Sequence, residues 1–187
     1  MMLLEPLQLP TKIDIDKDTY SSTYGKFEIG PFEAGYATTI GNTLRRVLLS
    51  SIQGTAAKFV KIEGLHHEFT PIPGCDSDYV DFILNLKKLV FKSDTLNEVK
   101  LTLHHKGVGP VTAEEIEETS EVKVINKELV LCNMTEDTEL FVEIWVGQGR
   151  GYTPADEHDI EDKPVGVIPV DSIYSPITKV NFVTANQ

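Results

Sequence analysis

The sequence predicts an α+β fold. Two segments with apolar residues at helical spacing lie in the first half, and period-two alternation dominates the second. Strands do not alternate with crossover helices, which argues against a doubly wound parallel sheet.

Thr11 to Asp16 and Tyr24 to Ile29 are short extended segments around the polar turn Thr19–Ser22, a hairpin pattern. Pro31 and Glu33 introduce a helix running to about Ser51. At 100° per residue, Tyr36, Ile40, Leu44, Val47, Leu48 and Ser51 fall in one stripe about 120° wide, with Leu49 and Arg45 opposite. Gly35 and Gly41 thin this helix, and Gly54 is expected to end it as a left-handed cap. A helix with an apolar stripe and a second, weaker apolar flank suits packing on another chain as well as on its own sheet. Ala57, Phe59, Val60 and Ile62 suggest a strand, turned by Gly64 and returned by His66 to Thr70. After the loop Pro71–Gly74, Asp76 or Ser77 is placed to cap a second helix carrying Tyr79, Phe82, Ile83 and Leu86. Lys87 and Lys88 sit in its last turn, where cations complement the carbonyl end of the helix dipole.

Beyond this, Val99, Leu101 and Leu103 alternate with polar residues, as do Val122 and Val124. Leu140, Val142, Ile144 and Val146 alternate with Phe141, Glu143 and Trp145, a strand expected to be covered on both faces. Gly107–Pro110 and Gly147–Gly151 read as turns and Asp156–Asp162 as a solvated acidic loop. Ile168–Val170 and Val180–Val183 read as closing strands.

The chain has 187 residues, 41% hydrophobic and 25% charged, within the ordinary globular range. The N-terminal run Met1–Pro6 lacks the basic region of a secretory signal, and no stretch is apolar for long enough to suggest a membrane span. A net charge of −12 repels phosphate backbones, so direct DNA binding is not expected. Cys75 and Cys132 lack metal spacing and read as free thiols of a reducing compartment.

Gly147–Gly151 resembles a phosphate loop, but no helix opens after it, so a strand exit is the better reading. His66–His67 and His104–His105 are adjacent pairs. Neighbours on a strand point to opposite faces, so a metal site would need one histidine from each pair plus a carboxylate. A metal-dependent enzyme built on these pairs is one alternative function; an autonomous dimeric binding protein is another. No residue set nominates a nucleophile or general base, and neither metal nor cofactor is expected. Arg45 and Arg46 are either solvated helix residues or interface forks for carboxylates.

Six blocks then carry a resemblance: Thr39–Ser51, Gly64–Phe69, Ile83–Leu89, Gly107–Ala113, Gly149–Ala155 and Val170–Ile177. In content and order they resemble the N-terminal domain of the bacterial RNA polymerase alpha subunit, over nearly the whole chain. The resemblance implies a discontinuous dimerisation subdomain (1–55 plus 170–187) and an inserted strand-rich subdomain (56–169). It implies a non-catalytic scaffold in transcription that dimerises and recruits the beta and beta-prime subunits of a nucleotidyltransferase complex. Its partners would be a second alpha subunit, those large subunits, and activators through 157–162. Its setting would be the bacterial cytoplasm, ahead of a plastid. By residue match, Arg46 stands at a beta-binding position, and Lys87 and Val170 at beta-prime positions. Arg45, Leu49 and Asp171 complete the candidate interface set. The family's second long helix is absent after Gln187, so the chain reads as truncated and its dimer as weakened.

Overall fold

A computed structural model describes residues 9–185; the N-terminal run Met1–Pro6 lies outside them. The described residues fall into two compact units, one reaching Leu48 and resuming at Lys179, the other spanning Leu49–Thr178.

In the smaller unit, β1 (Lys12–Ile15) and β2 (Phe27–Gly30) form the expected antiparallel hairpin, with Ile15 opposite Phe27. Helix α1 (Tyr36–Ser50) follows Gly35, whose φ of +89° is readily adopted only by glycine. Val180–Val183 does not form the expected strand. The tail instead lies side-on to α1: a Cβ at Gly41 would come within 2.5–2.8 Å of the Phe182 ring, so glycine makes the groove that the ring fills.

In the larger unit, β3 (Gln53–Ile62) leads through a loop to α2 (Tyr79–Leu86). The strands β4 (Phe91–Ser93), β5 (Val99–Lys106), β6 (Gly109–Thr112), β7 (Ile116–Glu117), β8 (Val122–Val124) and β9 (Val130–Met134) come next. They are followed by β10 (Glu139–Arg150), β11 (Tyr152–Thr153), β12 (Ile168–Pro169) and β13 (Ser172–Ile173). The main sheet is antiparallel with order β12-β3-β10-β5-β7; β4-β8, β6-β9 and β11-β13 are separate pairs. This unit takes in the whole of β3 from Gln53 and also β13, which pairs back onto β11.

The core lies between this sheet, α2 and the β6-β9 pair. Tyr79, Phe82 and Leu86 of α2 are buried against Leu101, Leu103, Ile144, Leu131 and Met134. The Tyr79 hydroxyl accepts from the Ile62 amide at 3.1 Å and donates to the Val60 carbonyl at 3.4 Å, so the fully buried ring leaves no stranded polar atom. Asn85 Nδ2 donates to the Leu131 carbonyl at 2.9 Å and joins α2 to β9. On the other face of β10, Trp145 packs with Phe59 and Val167, so this strand is indeed covered on both sides.

Several expectations need correction. The N-cap of α2 is Asp78, whose carboxylate accepts from the Asp81 amide at 2.8 Å. Asp76 is engaged elsewhere, accepting from Ser77 Oγ and from the Asn133 side chain. His66–Thr70 forms no strand. Gly54 has no positive φ and does not cap α1; it lies inside β3. Gly147–Arg150 is strand, not turn, paired with Ala56 back to Gln53; only Gly151 turns, at φ +64°.

Candidate assembly interface

Helix α1 buries none of its residues. Tyr36, Leu44 and Val47 of the apolar stripe are 43%, 41% and 48% exposed, while Ile40 and Leu48 are half-covered. Arg45 and Arg46 are exposed and Leu49 is half-covered. The hairpin beside it in sequence exposes Ile13, Ile15 and Phe27. Every buried hydrophobic residue of the described chain lies in the larger unit. Among the described residues, this amphipathic helix and hairpin therefore expose apolar side chains and bury none.

The larger unit gathers Lys87, Val170 and Asp171. Lys87 is the C-cap of α2, and its Nζ lies 2.8 Å from Asp171 Oδ2. Asp171 Oδ1 accepts from the Ala155 amide at 3.0 Å. The Lys87 ammonium, and then the Ala155 amide, hold the Asp171 carboxyl below the usual carboxylate range. Val170 is 2% exposed, and its side chain belongs to the core of the larger unit.

The acidic loop is fastened at three points. Asp171 holds Ala155, just before it; His158 Nε2 lies 3.0 Å from Ser172 Oγ, and Ser172 in turn donates to the Ala57 carbonyl at 2.7 Å; Lys163, just after it, pairs with Glu98. Lys163 Nζ also sits 4.7 Å above the Phe59 ring, a cation–π contact. Burial raises the Glu98 carboxyl, but Lys163 and Lys58 outweigh it and leave it below its ordinary value. Burial, then the charge of Lys58, lowers the His158 imidazole. Asp156, Glu157, Asp159, Glu161 and Asp162 remain exposed.

The glycine-rich run proves to be a seat for Tyr174. A Cβ at Gly149 would meet the Tyr174 ring at 2.6–2.7 Å, and one at Gly54, its partner across β3 and β10, would overlap the Tyr174 carbonyl oxygen. The Tyr174 amide donates to the Gly151 carbonyl at 2.9 Å. Ser172, His158, Glu98 and Tyr174 escaped the sequence reading. Val170, Ser172 and Tyr174 alternate as buried residues with Asp171 and Ile173 outside, but a polar residue inside and an apolar one outside hide that period in the sequence.

Among the described residues, no three His, Cys, Asp or Glu side chains converge as metal ligands. His105 Nδ1 is taken by Glu115 at 2.6 Å, and His104 lies across from Glu139 at 3.6 Å. Cys75 and Cys132 are free thiols, and burial pushes the Cys132 thiol well up. No helix among the described residues is long and apolar enough to cross a membrane.

Residues 60–175 match the family model of the RNA polymerase Rpb3/RpoA insert domain. This chain belongs to that family. It is similar to the DNA-directed RNA polymerase subunit alpha of Rhodopirellula baltica, at 42% identity over 176 residues, covering 94% of this chain and 53% of the relative. The Salinibacter ruber subunit is 46% identical over 177 residues, covering 94% and 53%; that of Symbiobacterium thermophilum is 47% identical over 161 residues, covering 86% and 51%. The chain spans about half the length of these curated relatives. Its place in the RNA polymerase alpha family agrees with the α+β architecture read from the sequence and with the resemblance of the six blocks.

Proposed function

We propose that this chain is a non-catalytic assembly subunit of a bacterial DNA-dependent RNA polymerase, working in the cytoplasm. The ends of the chain form its dimerisation subdomain, and the strand-rich unit is inserted between them. The apolar stripe of α1 packs on a second copy of the chain. Arg46, with Arg45 and Leu49 beside it, faces the beta subunit; Lys87 and Asp171 belong to the beta-prime side. The exposed acidic residues of 157–162 suit transcription activators with basic contact surfaces.

The observation that carries this reading is the exposed apolar stripe of α1, in a unit whose described residues include no buried hydrophobic side chain. Arginine at the centre of an interface is a frequent energetic anchor, worth about 2 kcal/mol or more when truncated. Arg46→Ala is therefore expected to weaken co-purification with beta by roughly 30-fold while the circular dichroism spectrum stays unchanged. Equal capture by wild type and variant would remove Arg46 from the mechanism.

A further inference from the structure

Lys87 does not point a bare ammonium at solvent. Its side chain is 22% exposed, and its Nζ is directed into the chain, 2.8 Å from Asp171 Oδ2. The other oxygen of Asp171 holds the Ala155 amide at 3.0 Å, at the start of the 3-10 turn Ala155–Glu157. Ser172, the next residue, holds His158 at the end of the same turn. One carboxylate therefore links the C-terminus of α2 to the turn, and the β11-β13 pair fixes the turn's entrance through Tyr152 opposite Ile173.

We infer that Asp171 is a positioning residue, and that Lys87 acts on capture of the beta-prime subunit through Asp171 and the turn it fixes, not by touching that subunit. This rests on the assembly reading above. A cation lost at position 87 leaves the Asp171 carboxylate free to turn, so its oxygen is no longer held in line with the Ala155 amide. A half-buried ammonium already committed to an internal carboxylate would have to give up that pair to reach a partner, leaving Asp171 without its main counter-charge.

A double-mutant cycle separates the two routes. Full-length chain carrying Lys87→Met, Asp171→Asn or both is bound to beta, and capture of purified beta-prime is measured. The strut predicts that each single substitution weakens capture by a similar factor, about 10-fold, and that the double variant is no worse than either. Lys87→Arg, which can still pair with the carboxylate, restores most of the capture. Multiplying losses, or normal capture by Asp171→Asn, would overturn the inference. Amide exchange in the isolated chain gives a readout that needs no partner: Lys87→Met and Asp171→Asn should both speed exchange at Ala155. Unchanged exchange in Lys87→Met would also overturn it. If the wild-type complex captures no beta-prime, the assembly reading fails, and the exchange result alone decides the strut.

Discussion

Val47→Asp is expected to raise the dissociation constant of the self-associated chain at least about 100-fold while leaving its fold intact. Val47 is 48% exposed within the chain, so the substitution removes little internal packing. In a two-fold dimer each substitution counts twice. Losing about 1.5 kcal/mol of apolar burial per valine gives about 3 kcal/mol, and an unpaired carboxylate placed in the seam adds to it. Sedimentation across a range of concentrations would show the variant as monomer where the wild type associates. Unchanged association would mean that the stripe through Tyr36, Leu44 and Val47 is not the seam.

Gly54→Ala is expected to destabilise the larger unit by about 3 kcal/mol, because its new methyl overlaps a backbone carbonyl that no side-chain rotation can move. For a chain of this size that lowers the melting temperature by roughly 6–12 °C. Tyr174 would leave its seat on Gly149, and the Gly151 turn would lose the amide that its carbonyl holds. Gly147→Ala is the matched control. It lies on the same strand, but its methyl meets only the flexible stem of Lys58, so its net effect should stay within about 1 kcal/mol. Thermal unfolding of both variants measures this, and equal melting temperatures would contradict the seating of Tyr174.

Helix α2 and the long strands were legible in the sequence because their apolar spacing reflects the face that packs in the core. Tyr79, Phe82 and Leu86, and Leu140, Val142 and Ile144, all point where their period says. The stripe of α1 was equally legible, but the sequence alone does not say whether its cover comes from within the chain. The short strands β4, β6 and β7 span two to four residues, too few for a period to register. Gly147–Gly151 was misread as a turn because glycine also serves where a distant ring lies flat on a strand, and Tyr174 is far along the chain. The Lys87–Asp171 pair joins residues 84 apart, and no local pattern announces such a contact. The N-cap of α2 is Asp78, two residues past Asp76 and one past Ser77; both expected candidates are engaged with each other, and Asp76 also with Asn133.

The central claim is that the uncovered face of α1 is a contact surface for other polypeptides. Oxidative footprinting of Tyr36, Leu44, Val47 and Leu48 tests it most directly, comparing dilute chain with concentrated chain and with chain bound to beta, and using the 82%-exposed Phe69 as the reference. Labelling of the stripe should fall several-fold on self-association, and labelling of Leu49 should fall on adding beta, while Phe69 stays constant. Constant labelling along the whole of α1 in all three states would contradict the account.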